Sequence, residues 1–216
     1  MNKINRSILI IVCCCFGCNK GDYNIIDCTE KGVILTINSV ENNNDNLKIK
    51  YSIVNNGKQK IWVCVGIDRA LIEEPFVVKR GNALILRKHI EGLSWGCESA
   101  NSIYYKPLLV GQKIESVIDL KLPVLQINIK GISSQINKHV YWLEKVIFEL
   151  GYFEDTDVKK VIGHSAVSMR SDGDSESTLC LIFLPPKLSE NILKTRIDKL
   201  SIQYILEERG CCASGN

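Results

Sequence analysis

The stretch LKIKYSIVNNGKQKIWVCV, residues 47–65, decides the fold of this chain. Leu47, Ile49, Tyr51 and Ile53 alternate with Lys48, Lys50 and Ser52, and Ile61, Val63 and Val65 alternate with Trp62 and Cys64. Alternation with a period of two puts each set on one side of a pleated sheet. Between the two runs, Asn55-Asn56-Gly57-Lys58 supplies residue types that tolerate the positive φ of tight turns. The pattern predicts a β-hairpin. A hairpin is marginal alone in water, so the rest of the chain is expected to supply strands that cover it.

Upstream, Tyr23 to Glu30 reads as a lead-in and Val33 to Val40 as the first strand. The Asn- and Asp-rich run from Glu41 to Asn46 reads as a turn. A calcium loop is the poorer reading, because only Glu41 and Asp45 carry charge and the Gly-containing spacing is missing. Downstream, Phe76 to Lys79 and Ala83 to Arg87 are predicted strands joined at Arg80-Gly81-Asn82. Ile90 to Asn101 is a long loop holding Trp95 and Cys97. Strand pattern resumes at Ile103 to Tyr105, and Gly111 turns the chain into a clear strand, Ile114 to Leu122. Gln126 to Lys138 reads as a linker or loop. Val140 to Tyr152 is read as a strand over a short helix, because β-branched and aromatic residues dominate it. Val161 to Met169, Thr178 to Leu184 and Ile197 to Leu206 complete the strands, and Lys187 to Lys194 is expected to add a helical turn or two.

With 216 residues, 45% of them hydrophobic, the chain suffices for one large domain or two small ones. The net charge of +3 includes Lys3 and Arg6 and falls to +1 without them, which leaves no field to attract nucleic acid. Asn2 to Arg6 is polar and basic, and Ser7 to Phe16 is an apolar run. That layout is an export signal, and the run is about half the roughly 20 residues a membrane-spanning helix needs. The ending, Cys15-Phe16-Gly17-Cys18, resembles the lipobox of bacterial lipoproteins, in which a small residue precedes a cysteine that becomes the lipidated first residue. The resemblance covers only the first eighteen residues, and Cys15 and Phe16 depart from the usual Leu and small residue. It implies a thioether-linked diacylglycerol on Cys18, an anchor strengthened by about 0.8 kcal/mol per buried methylene. The alternatives are a cleaved, unlipidated signal peptide, cleavage beside another of the clustered cysteines, or acylation of Cys13 to Cys18 in a cytoplasm.

Six cysteines remain beyond Cys18: Cys28, Cys64, Cys97, Cys180, Cys211 and Cys212. An even number in an exported chain makes disulfides plausible, and Cys64 with Cys97 is the favoured pair. For Cys64 and Cys180, a buried free thiol in an apolar strand is an equal reading. No zinc site is expected, since there is no Cys-x-x-Cys pair and His89, His139 and His164 lack ligand spacing with any cysteine.

Catalytic patterns are thin. Gly163-His164-Ser165-Ala166-Val167 approaches a Gly-x-Ser-x-Gly nucleophile elbow, yet Val167 replaces the second Gly and no histidine follows His164. Asp172-Gly173-Asp174-Ser175-Glu176 reads better as a solvated hairpin loop than as a carboxylate site. Loops of the kind that cradle phosphates are absent, and neither cofactor nor catalytic set is expected.

The strand ending in Asn-Asn-Gly, followed by a Leu-Val-Gly turn and a polar-apolar strand, resembles the immunoglobulin-like modules of bacterial envelope proteins over Val33 to Leu122. The resemblance implies a sandwich scaffold and carries no functional residues. The expected architecture is all-β, an antiparallel immunoglobulin-like β-sandwich with a C-terminal elaboration. Its parts are a signal peptide (1–17), a lipidated N-terminus and tether (18–31), the sandwich (32–123), further strands completing or extending it (124–207) and a flexible tail (208–216). The expected function is a lipid-anchored, extracytoplasmic, non-enzymatic interaction or structural module of the cell envelope. It would be held to the membrane through its lipid and would meet an envelope protein. One alternative is a tethered inhibitor of a secreted protease or other enzyme, acting through the Trp95 loop. The other is a hydrolase using Ser165.

Overall fold

A computed structural model describes residues 23–67, 75–89, 103–129, 136–162, 167–172, 176–181 and 188–209. Two sheets face each other across one core. The smaller sheet is antiparallel and contains β2 (Cys28–Glu30), β3 (Val33–Asn42), β4 (Asn46–Asn55) and β9 (Lys113–Lys121), in the order β2-β3-β4-β9. The larger sheet is built on two 19-residue strands, β11 (Ile136–Glu154) and β14 (Asn191–Arg209), paired antiparallel. Beyond β11 come β5 (Ile61–Ile67), β8 (Ile103–Leu108), β13 (Glu176–Leu181) and β12 (Val167–Asp172). A hairpin of β6 (Phe76–Arg80) and β7 (Ala83–Lys88) joins β11 in parallel through β7. On the far side of β14 lie β1 (Asn24–Ile26), antiparallel, and β10 (Val124–Ile129), parallel. The all-β sandwich expected from the alternation is the observed class.

Leu35, Leu47, Ile49 and Ile53 of the small sheet are fully buried, as are Leu84, Phe148, Leu150 and Leu193 of the large one. Tyr51 meets Phe148 edge-on across the gap, with ring centroids 4.8 Å apart. That geometry suits the opposed charge of ring edge and ring face.

The predicted hairpin over residues 47–65 is not formed. Its arms are strands, but β4 lies in the small sheet and β5 in the large one. The reason lies in β5, where Ile61, Trp62, Val63 and Cys64 are all buried. A strand that is apolar on both faces belongs inside a covered sheet, whereas a half-exposed hairpin partner would leave Trp62 and Cys64 in water. Residues 56–60 therefore carry the chain from one sheet to the other, and Asn55 holds the crossing. Its Nδ2 donates to the carbonyls of Gln59 and Leu108, both at 2.9 Å, and its Oδ1 accepts from the Gly57 N–H at 3.0 Å. Its backbone N–H donates to Gln112 O and its carbonyl accepts from Gly111 N–H. The partner of β4 on the other edge is β3, through the Asn-rich turn read from the sequence. Asn43 Oδ1 accepts there from the N–H groups of Asp45 and Asn46.

Three further expectations change. Gln126 to Lys138 holds no simple linker, because Val124–Ile129 is β10. Its partner β14 lies some eighty positions on, and parallel pairing leaves no local signature. The strand expected from Val161 begins at Val167. It is preceded by the short helix α1 (Asp155–Lys159), whose Asp155 and Asp157 favour a helix N-terminus. Residues 188–190 are not helical, and β14 starts at Asn191 and runs through Arg209, into the segment expected to be tail. Its apolar alternation, Leu193, Thr195 and Ile197, follows strand and not helix spacing.

Candidate interaction surface

Beyond the reach of β7 and β5, residues 136–143 of β11 pair, among the described residues, with β14 alone, and β14 pairs in turn with β10. These three strands form a ribbon with two apolar faces. Leu143, Ile202 and Tyr204 are buried in the inner face. There the Tyr204 hydroxyl bonds Gln126, and Lys79 Nζ stands 4.1 Å from the ring centre of Tyr141.

The outer face follows from the register. Ile205 lies opposite Leu125 on one side and Val140 on the other, the next row pairs Gln203 with Trp142, and Glu207 stands between Ile127 and Lys138. Leu125, Ile127, Ile136, Val140 and Trp142 are all exposed, Trp142 to 64%. Ile205, 9% exposed, lies in the row between Leu125 and Val140 and joins the exposed pairs Leu125 and Ile127 on β10 and Val140 and Trp142 on β11 into one patch. Contiguous exposed apolar surface of this kind marks a site of contact with another body.

The richest polar cluster sits on the opposite end of the large sheet. Glu149, 7% exposed, receives Arg87 Nε at 3.1 Å, His89 Nε2 at 3.0 Å and Lys194 Nζ at 3.1 Å. An ionised carboxylate only accepts, so His89 Nε2 carries the proton and His89 Nδ1 is left buried without a partner. The His89 hydrogen bond outweighs the opposing effect of burial and, with Lys194, brings the Glu149 carboxyl down to about 2. Nearby, Tyr105 Oη donates to Glu190 Oε1 at 2.7 Å. Burial, with Glu190 adding to it, pushes the Cys64 thiol far up. These are properties of a locked structural cluster: the carboxylate is held ionised by cations and the thiol is held protonated.

Gly151 lets the cluster close. A Cβ there would lie 1.9 Å from Glu190 Oε1 and 2.7 Å from His89 Cβ. Gly151→Ala is expected to cost about 2–3 kcal/mol through overpacking, read as a lower urea midpoint.

Under α1, burial opposes ionisation of Asp155, yet hydrogen bonds from Lys159, Lys60 and Trp62 outweigh it and hold the carboxyl at about 2. Both depressed carboxyls lie below their unfolded values, so their contribution is complete above about pH 4.5 and is lost as pH falls toward 2. Thermal midpoints are expected to stay flat between pH 6 and 8 and to fall steadily below pH 4.5.

A cavity of about 340 Å³ opens beside the crossing, lined by Lys31, Val33, Ile61, Tyr152 and Glu154 among others. The Tyr152 hydroxyl is buried there without a partner, and burial raises its pKa. Glu154 is bonded by Lys31 and Gln59.

Of the residues singled out in the sequence, Cys18, Trp95, Cys97 and Ser165 lie outside the described residues. Cys64 is described, and it is a buried free thiol, as is Cys180. The expected pairing of Cys64 with Cys97 therefore rests on a residue outside the description. Among the described residues no His, Cys, Asp or Glu group is arranged to hold a metal, and no helix is long and apolar enough to cross a membrane. Trp142 and its neighbours were not singled out. Their signal in the sequence is the unbroken apolar run Val140 to Leu143, which puts apolar side chains on both faces of one strand. The chain matches no family model, no curated protein and no solved structure.

Proposed function

We propose that this chain is a lipid-anchored, extracytoplasmic and non-enzymatic interaction module of the cell envelope, tethered through Cys18 and presenting the outer face of the β10–β14–β11 ribbon to another envelope component. The observation that carries the reading is the continuous exposed patch of Leu125, Ile127, Val140 and Trp142. Exposed apolar surface of this extent is unfavourable in water unless something covers it. The export-type leader and the Gly17-Cys18 ending supply the anchor. The kinship of residues 33–122 with immunoglobulin-like envelope modules belongs to the same reading. It is supported by β3, β4 and β9 facing β5 and β8 across one core.

The test is partition between detergent-rich and aqueous phases. The protein from its native membrane is expected in the detergent phase, and a chain expressed from Asn19 in the aqueous phase. Recovery of both in the aqueous phase would show that Cys18 carries no lipid anchor.

A further inference from the structure

The partner of the ribbon's outer face follows from where the N-terminus enters the fold. β1 pairs antiparallel with β14, Asn24 opposite Asp198 and Ile26 opposite Arg196. The chain therefore approaches β1 from the side on which β14 continues through Lys199 into the ribbon. From Cys18 to Asn24 an extended chain spans at most about 20 Å. From Asp198 to the row of Gln203 and Trp142 is about 17 Å along β14, and the patch extends about as far again. A bilayer holding a lipid on Cys18 thus lies within reach of Trp142 and cannot be far from the patch.

The chemistry of the patch suits that neighbour. Trp142 combines a large apolar ring with an N–H donor, the combination favoured at the boundary between head groups and acyl chains. Leu125, Val140 and Ile136 provide aliphatic bulk, and Lys138, exposed on the same face opposite Glu207, has a stem long enough to carry its charge toward head-group phosphates. The surface is made of paired strands, so its backbone groups are satisfied within the ribbon, except at the outer edges of β10 and β11.

We infer that the outer face of the ribbon lies on the bilayer that holds the Cys18 lipid, as a second, non-covalent membrane contact with Trp142 at the acyl-chain boundary. The lipid anchor limits the face to a surface search and the face fixes the orientation of the sandwich. One short tether would leave the domain free to tumble. The tether and the ribbon together make one side of the large sheet point at the membrane and leave the small sheet facing away. This inference rests on the lipid-anchor reading.

The test is quenching by phospholipids brominated near the head-group end of their acyl chains. The chain has three tryptophans, of which Trp62 is buried against Asp155. A Trp95→Phe protein, purified with its native modification and reconstituted into phosphatidylcholine–phosphatidylglycerol vesicles, reports on Trp142. Brominated lipid is expected to remove about half of the total emission, since two tryptophans remain and only Trp142, seated at the interface, meets the bromines while Trp62 is buried. The quenchable part should vanish in Trp142→Phe, a change that a 64% exposed position tolerates. Absence of quenching, in protein whose intact mass shows acyl chains on Cys18, overturns the inference and leaves the anchor standing. If the mass shows no acylation, the anchor reading fails and the face is judged by flotation of the unlipidated protein with the same vesicles. Flotation lost on Trp142→Ser supports the contact, and no flotation overturns it. Shielding of Trp142 from a water-soluble quencher without vesicles, together with a dimer in sedimentation, assigns the face to a second copy and also overturns it.

Discussion

Asn55→Ala is expected to lower folding stability by about 4 kcal/mol, the largest effect of any polar substitution in the small sheet. Asn55 is fully buried, and its side chain satisfies the carbonyls of Gln59 and Leu108 and the N–H of Gly57. A buried group that loses its partner costs about 1–3 kcal/mol, and three lose theirs together. For a chain of this size the loss corresponds to a fall of roughly 10 °C in the unfolding midpoint. The site has an internal control one position away: Asn56 is exposed, and Asn56→Ala should stay within about 0.5 kcal/mol. Equal urea midpoints for Asn55→Ala and the parent would mean that the crossing between the sheets is held elsewhere.

Glu149→Gln should be nearly as damaging, at about 3 kcal/mol, for an electrostatic reason. Arg87, His89 and Lys194 converge on this one carboxylate, and neutralising it leaves the Arg87 and Lys194 cations without the negative charge they share and replaces an acceptor of the His89 N–H by a group that also carries donors. Removing one member of a buried pair strands its partner, which costs more than the pair itself contributes. The variant has a second signature in its pH profile. The parent loses Glu149's contribution as pH falls from about 4.5 toward 2, whereas Glu149→Gln has already lost it and should fall less steeply on acidification. Parallel acid profiles for the two proteins would show that Glu149 is not the group responsible.

The strands of this fold were legible where one face is wet. Val33 to Val40 and Ile114 to Leu122 alternate and form about where their pattern places them, while the Phe76–Arg87 hairpin was legible from two apolar runs closed by Arg80-Gly81-Asn82. Pairing was legible only where a short turn closes it. Asn55-Asn56-Gly57 has the composition of a hairpin turn, but β5 is apolar on both sides and is drawn into the covered sheet, so the turn becomes a crossing. Nothing local distinguishes these outcomes, because the competing partner of β5 is β8, some forty residues on. The parallel placement of β10 on β14 was hidden for the same reason.

The surface was harder to read than the fold. Trp142 lies in a run where Tyr141 and Leu143 are also apolar, and sequence alone does not say which side of such a strand finds cover. Only the three-strand register puts Leu125, Ile205 and Val140 in one row and Trp142 in the next. The Glu149 cluster draws on β7, β11 and β14, so no spacing in the chain announces it.

Lipidation of Cys18 is read out by the intact mass of the protein purified from its native membrane beside a Cys18→Ala version. The expected result is a mature chain beginning at Cys18 and heavier by a diacylglycerol, with or without a further acyl chain, and no such addition in the variant. An unmodified mass in both would contradict it, and would leave the ribbon's apolar face to be explained without a membrane tether.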